Sequence, residues 1–309
     1  MKKERLIVVL GPTASGKTGL SIELAKQFNT EIISGDSQLV YRGFDIGAAK
    51  PDMKERDGVV HHMIDILPPE ASFNVADFID RVKPIITDLN NRGRVPILAG
   101  GTGLYIKSLL EGYQFNDTAG DDEYRLKLEK LAEEKGKQYL HDMLREINPE
   151  AAERIHVNNF RRVMRALEVY QLGGEQISTQ KENELVYDVY VVGLIWHRGE
   201  LYDRINRRVD IMLQQGLADE VRHLLDSGVS PESQSMRGIG YKEMVNYVQG
   251  TGTLEQAADD IKKGTRHFAK RQLTWYRKMP YVHWYHPSLY RGRGLVDNVS
   301  WNIARYFKG

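Results

Sequence analysis

The segment Gly11-Pro12-Thr13-Ala14-Ser15-Gly16-Lys17-Thr18 constrains this chain more than any other, because it follows the apolar run Leu6-Ile7-Val8-Val9-Leu10 with no linker between them. A short, largely β-branched run closed by glycine is the pattern of a strand buried on both faces in a parallel sheet. Gly11-x-x-x-x-Gly16-Lys17-Thr18 is the full phosphate-loop pattern, placed where its mechanism requires, between strand and helix. Glycine lets the backbone curl around an anion, and the loop N–H groups with the helix N-terminus supply donors. Lys17 adds a positive charge, and the Thr18 hydroxyl is suited to Mg²⁺.

Downstream, Leu20, Ile22, Leu24 and Phe28 recur at roughly helical spacing from Lys17 to Phe28, and a short strand, Glu31 to Ser34, follows. A helical pattern from Val75 to Asn90 leads to a strand at Arg94 to Ala99, then to Gly100-Gly101-Thr102-Gly103. This alternation predicts an α/β fold, a parallel sheet of the P-loop NTPase-like kind flanked by helices. From about Asn116 to Glu184 the sequence turns charged and helix-forming, with helices expected over Asp121 to Gly136 and over Asn158 to Leu172, the second closed by Gly173-Gly174. That stretch reads as a helical insertion, giving a core of residues 1–115 and 186–309 and an inserted domain of 116–185. A strand at Val186 to Trp196 returns to the core, and long amphipathic stretches at Glu200 to Ser227 and Leu254 to Lys278 make the C-terminal half largely helical.

The 309 residues suffice for one large domain or two modest ones, and the formal net charge of +1 means that attraction to nucleic acid must come from local clusters. With no cysteine there are no disulfides, thiolate zinc sites or cysteine nucleophiles, which fits a reducing compartment. The apolar run after Met1-Lys2-Lys3-Glu4-Arg5 is too short for a signal peptide or a membrane span. A cytoplasmic protein is expected, with no membrane partner.

A phosphate loop specifies a pyrophosphate-like ligand, ATP included, but not a reaction. The usual NTPase companions are weak: the strand Val95-Pro96-Ile97-Leu98-Ala99 ends in glycines rather than an aspartate, and no Asn-Lys-x-Asp motif occurs. Asp65 reads equally as a magnesium-side carboxylate or as a turn residue before Pro68-Pro69. Asp36 follows the second strand at its carboxyl end, facing the crevice where open α/β sheets bind ligands. Position alone leaves it as either a catalytic carboxylate or a turn residue in Gly35-Asp36-Ser37.

Further motifs run from Asp36-Ser37-Gln38-Leu39-Val40-Tyr41-Arg42-Gly43-Phe44-Asp45-Ile46-Gly47-Ala48-Ala49-Lys50-Pro51 through Gly100-Gly101-Thr102-Gly103-Leu104-Tyr105 and Arg237-Gly238-Ile239-Gly240-Tyr241-Lys242-Glu243 to Lys270-Arg271-Gln272-Leu273-Thr274-Trp275-Tyr276-Arg277. Together with the phosphate loop, this set resembles the tRNA dimethylallyltransferase (tRNA isopentenyltransferase) family over nearly the whole chain. The resemblance implies transfer of a dimethylallyl group from dimethylallyl diphosphate to N6 of the adenosine immediately 3′ of the anticodon, in tRNAs reading U-starting codons. The products are N6-dimethylallyladenosine and diphosphate. It further implies that residues Gly11 to Thr18 and Arg208 hold the diphosphate, that Thr18 ligates Mg²⁺, and that Thr13 and Lys17 assist departure of the leaving group. Asp36 becomes the base, and Ser37, Gln38 and Leu39 border the pocket for an extruded adenine. Thr102, Arg125, Arg161, Arg162, Val163, Met164, Arg165, Lys270 and Arg271 become contacts to the tRNA anticodon stem-loop.

Between Ile261 and Lys278 seven basic residues occur with no acidic one, and Lys263, Arg266 or His267, Lys270, Thr274 and Arg277 share a helical face suited to a phosphate backbone. A solvated basic face is the equal alternative for a lone helix. Arg161, Arg162 and Arg165 add a second cluster, which favours RNA. His61 and His62 have no third ligand at zinc spacing and read as structural. Eukaryotic members carry a C-terminal zinc module, so a cysteine-free chain is expected to be a bacterial form, acting as a monomer. The competing readings are an adenylate isopentenyltransferase, a P-loop small-molecule kinase and a non-catalytic RNA-binding switch.

Overall fold

Parallel pairing is the common rule of the six strands, β1 (Arg5–Leu10), β2 (Ile32–Ser34), β3 (His61–His62), β4 (Ile97–Gly100), β5 (Asp188–Leu194) and β6 (Val282–Tyr285). They form one sheet in the order β3-β2-β4-β1-β5-β6. The computed structural model describes residues 3–113, 121–172 and 184–308. In chain order its helices are α1 (Lys17–Gln27), α2 (Met53–Arg56), α3 (Val75–Asn91), α4 (Gly103–Leu110), α5 (Asp122–Lys135), α6 (Lys137–Ile147), α7 (Pro149–Arg154), α8 (Phe160–Gln171), α9 (Arg198–Gln214), α10 (Leu217–Asp226), α11 (Tyr241–Val248), α12 (Leu254–Tyr276) and α13 (Gly294–Lys308). The chain divides into two compact units, one of Met1–Gly112 with Glu182–Gly309 and one of Tyr113–Lys181.

In the first unit β1 lies between β4 and β5, and Leu6 through Leu10 are buried to the last atom or nearly so. Strand side chains alternate between faces. Ile7 and Val9 join Leu20, Leu24 and Ala25 of α1 and Val299 and Ile303 of α13 in one apolar layer. Leu6, Val8 and Leu10 therefore point to the opposite face. Each fully buried Leu, Ile or Val contributes about 1.5–3 kcal/mol relative to exposure, so the central strand is the most firmly held element of the sheet. The phosphate loop begins where it ends.

The strand expected at Arg94 starts only at Ile97. Arg94 N–H is used to close α3 on the Leu89 carbonyl, and Pro96 has no N–H for a ladder. The amphipathic stretch from Glu200 to Ser227 is two helices, because Gly216 takes a left-handed φ of 94° between α9 and α10. Strands β3 and β6 were not visible in the sequence. β3 spans two residues, below any periodicity, and β6 is an edge strand that exposes His283 and Trp284.

In the second unit Leu128, Leu140, Leu144, Ala151, Ala152, Val163, Met164 and Leu167 make a separate small core shared by α5 to α8. Buried Glu168 accepts from Arg125 at 2.9 Å, from Arg165 at 2.5 Å and from the Asp121 N–H at 2.7 Å, tying the start of α5 to α8. Gly173 and Gly174 lie outside the described residues. Among those described, no helix is long and apolar enough to cross a membrane.

The irregular segment after β2 is held by one carboxylate. Glu220 of α10 accepts the N–H groups of Asp45, Ile46 and Gly47 at 2.7 to 3.1 Å and the Tyr241 hydroxyl at 2.7 Å, while that hydroxyl oxygen accepts the Ala48 N–H at 3.1 Å. Three successive N–H groups converging on an anion form an anion-binding concavity filled from within. Glu220→Ala leaves these donors without their acceptor and is expected to lower stability by about 1–3 kcal/mol in urea unfolding, with Glu220→Gln losing less.

Candidate active site

A loop that binds an anion through its N–H groups must find other partners for its carbonyls, and here those partners are side chains. Tyr276 of α12 has its hydroxyl oxygen 3.4 Å from the Gly11 carbonyl but closer, at 2.7 Å, to that of Gly101, and Lys17 Nζ donates to Pro12 at 2.8 Å. Arg204 Nε of α9 donates to Ala14 at 2.7 Å, and Trp196 Nε1 donates to Ser15 at 2.9 Å. The Arg204 guanidinium also lies 4.4 Å from the Trp196 ring centroid, so the two donors brace each other. Gly16 caps α1 with a left-handed φ of 94°. The first-turn N–H groups that follow have no acceptor within the helix. They open toward a cleft.

That cleft has two chambers that share Lys17, Thr18, Ala49, Arg208 and Met212. One, of about 790 Å³, runs along residues 14–18 past Arg204 and Arg207 to the segment from Asp45 to Glu55. The other, of about 400 Å³, reaches Thr13, Asp36 to Leu39, Gly101 and Thr102, with Ile205, Val209, Met212, Ile239, Ile261 and Phe268 as its apolar wall. Volumes in this range suit small-molecule sites.

Asp36 stands at the inner chamber. Its Oδ1 accepts the Gln38 N–H at 2.9 Å, an Asx turn that fixes the carboxyl plane. Oδ2 takes no hydrogen bond among the described residues and lies toward Gly101. The turn is held from β4: Thr102 Oγ1 accepts the Ser37 N–H at 3.1 Å, and Thr102 N–H reaches the Gly35 carbonyl at 3.2 Å. Burial and the neighbouring Arg208 charge lower the Lys17 ammonium to about 8, against the opposing pull of Asp36. Arg208 is likewise pulled down by burial and supported by Asp36 and Glu55, and among the described residues its guanidinium has no hydrogen bond or ion pair. A desolvated cation without a partner is suited to an anionic ligand.

Thus Thr13 to Thr18, Asp36, Ser37, Gln38, Leu39, Thr102, Arg208 and Arg271 come together around the cleft, while Gly11 and Pro12 are buried and line neither chamber. Lys270, Arg271 and Arg277 are exposed on α12, with Lys263 and His267. Arg266 of the expected basic face instead donates to Asn206 at 2.8 Å, and Lys262 pairs with Asp210 at 2.6 Å. In the second unit Arg161 and Arg162 are exposed, but Val163 and Met164 are 1% and 7% exposed. The expectation that these two touch tRNA is corrected by their burial: they pack the helical core. Arg125 and Arg165 are each about two-fifths exposed and spend donors on Glu168. Asp65 takes a left-handed φ of 57°, pairs with Lys50 and lines neither chamber, as a structural residue does. His62 pairs with the buried Glu31 at 2.7 Å, alongside Arg92 and Arg94.

Sequence reasoning missed Gln272 and Tyr276, which face inward from the same helix that carries the basic stripe, and also Trp196, Arg204 and Glu220. A Gln and a Tyr spaced i,i+4 on the face opposite the basic residues were the available signal for the first pair.

Known proteins supply an independent comparison. A family model described as IPP transferase matches residues 39–279, beginning just beyond Asp36. A tRNA dimethylallyltransferase from Bacillus anthracis is 52% identical over 288 residues, covering 92% of this chain and 91% of that protein. One from Bacillus cytotoxicus is 52% identical over 287 residues, covering 92% and 90%. Among solved structures, the full-length tRNA isopentenylpyrophosphate transferase from Bacillus halodurans superposes with a TM-score of 0.75 at 46% identity, over 99% of this chain and 97% of that one. A eukaryotic dimethylallyltransferase acting on tRNA does so with a TM-score of 0.79 at 29% identity, over 92% and 74%. With the matched region spanning most of the chain and its relatives covered nearly end to end, this chain belongs to the IPP transferase family.

Proposed function

We propose that this chain is a tRNA dimethylallyltransferase, moving the dimethylallyl group of dimethylallyl diphosphate to N6 of the adenosine immediately 3′ of the anticodon in tRNAs reading U-starting codons. The observation that carries the reading is the composition of the inner chamber: Lys17 and Arg208 line it with Asp36 as its one carboxylate, and Ile205, Val209, Met212, Ile239, Ile261 and Phe268 form its apolar wall. In the reaction the donor C1–O bond breaks, the N6–C1 bond forms, diphosphate keeps the electron pair, and the N6 proton goes to Asp36 Oδ2. Negative charge grows on the leaving oxygen, so fixed cations and N–H groups stabilise the transition state more than the ground state. Thr13 donates to the departing oxygen, and Arg208 neutralises the diphosphate. Adenine N6 is a weak nucleophile, and a carboxylate held by an Asx turn is a positioned base.

Mg²⁺ would be held by the Thr18 hydroxyl, which lies exposed in both chambers beside Lys17 and is the kind of oxygen donor a hard cation takes. When bound it supplies charge neutralisation of the diphosphate. The chemistry that distinguishes this reading from a kinase is the adjacent strand: β4, paired with β1, ends at Ala99 and Gly100 and offers no carboxylate for a nucleoside triphosphate metal. The helical unit, with Arg161, Arg162 and Arg125, is the tRNA-binding insertion, and exposed Lys270 and Arg271 contribute from α12. A free-nucleotide acceptor needs neither surface. The enzyme acts as a cytoplasmic monomer.

Three outcomes check this reading. Label from dimethylallyl diphosphate is expected to transfer to tRNA with Mg²⁺ and without ATP, and Asp36→Ala is expected to lower kcat by about 10²–10⁴-fold. Transfer to free adenylate but not to tRNA sinks the proposal. Because Lys17 loses its proton near pH 8 in the free enzyme, kcat/KM for the prenyl donor should fall above about pH 8. A bound diphosphate raises that pKa, so kcat falls less, and Lys17→Arg removes the alkaline limb. Replacing the exposed Lys270 by Gln should raise KM for tRNA and reduce its slope against salt by about one unit if one phosphate is no longer neutralised, with KM for the prenyl donor unchanged.

A further inference from the structure

Between the phosphate loop and the Asp36 turn lies a buried amide that neither chamber's chemistry requires as a ligand. Gln272 of α12 is 4% exposed. Its Oε1 accepts the Thr13 N–H at 2.9 Å, and its Nε2 donates to the Gly101 carbonyl at 2.9 Å. Both ends are specified, because a backbone N–H needs an acceptor and a carbonyl needs a donor, so the amide has one satisfied orientation. The Gly101 carbonyl also receives the Tyr276 hydroxyl at 2.7 Å, from one helical turn further along α12. Burial and the Asp36 charge push the Tyr276 phenol well above its ordinary pKa, so it remains a donor.

Gly101 is the point where this bridge meets the base. A Cβ built there falls 2.5 Å from Gln272 Nε2 and 3.5 Å from Asp36 Oδ2, so amide and carboxylate both crowd the face of a glycine that has no room for a side chain. The next residue, Thr102, accepts the Ser37 N–H. A continuous path therefore runs from Thr13 through Gln272, Gly101 and Thr102 to the Asp36 turn. The Thr13 N–H, spent on this amide, is withheld from the anion.

We propose that Gln272 is a positioning residue, which sets the separation between Thr13 at the leaving group and Asp36 at the attacking nitrogen by holding Thr13 and Gly101 at the two ends of one side-chain amide. This rests on the transferase reading of the cleft. Allyl transfer needs leaving group, carbon and nucleophile in line, and a displacement of about 1 Å costs on the order of a hundredfold in rate. Gln272 sits in the helix whose opposite face carries the exposed Lys270, while its neighbour Arg271 lines the same chamber.

The test uses full-length enzyme with dimethylallyl diphosphate, Mg²⁺ and tRNA. Gln272→Met, similar in volume but without hydrogen bonds, is expected to lower kcat by about tenfold or more while KM for each substrate stays within about threefold. Gln272→Glu, isosteric and able to fold where the Met variant does not, keeps the acceptor for Thr13 but turns a carboxylate oxygen toward the Gly101 carbonyl. Protonating the introduced carboxyl restores the donor, so the activity of this variant relative to the unsubstituted enzyme is expected to rise as pH falls. A flat ratio across pH, or a folded Gln272→Met with unchanged kcat beside an inactive Asp36→Ala, overturns the positioning role alone. Full activity in Asp36→Ala overturns the reading beneath it.

Discussion

An anion site made of backbone depends on where the carbonyls go. Every N–H turned toward a diphosphate has a neighbouring C=O turned away, and a buried carbonyl without a donor costs about 1–3 kcal/mol. In this chain the carbonyls of Pro12, Ala14 and Ser15 are met by Lys17, Arg204 and Trp196. Two of these three come from beyond β5, more than 180 residues downstream. The phosphate loop is thus a local motif whose conformation is completed by the C-terminal half of the chain.

The same helices that complete the loop supply its electrostatics. α9 presents Arg204 to a carbonyl and, one turn later, Arg208 to the cleft, while Ile205 and Val209 beside them form apolar wall. Burial lowers the proton affinity of Lys17 and Arg208, and Asp36 raises it. Lys17 and Arg208 are desolvated cations with Asp36 and, for Arg208, Glu55 as nearby anions, and Asp36 keeps one carboxylate oxygen free of hydrogen bonds among the described residues.

Much of the frame was legible in the sequence, and for clear reasons. β1, α1 and the phosphate loop are contiguous and strongly patterned, and Asp36 follows a buried strand at its carboxyl end. Of the second unit's helices, α5 and α8 were visible as charged, helix-forming segments, whereas α6 and α7 were not picked out. What escaped was whatever depends on neighbours: β3 and β6, which are strands only because β2 and β5 lie beside them, and the break at Gly216. Asp65 illustrates the limit, since nothing local distinguishes a metal-side carboxylate from one that holds Lys50.

The sequence by itself determined that a phosphate-loop pattern stands between a buried strand and a helix start, because its glycine, lysine and hydroxyl are contiguous. Its motif resemblance also carried the expectation of acceptor chemistry at Asp36. Only the tertiary structure decided which residues of α12 face water and which face the loop. A helix shows both sides in one line of text, and Lys270 and Arg271 stand next to Gln272, yet burial separates them: the charged pair stays in water, and the amide satisfies Thr13 and Gly101. The same logic moved Val163 and Met164 from the expected RNA surface into a core, because apolar side chains between exposed arginines on one helix turn away from water.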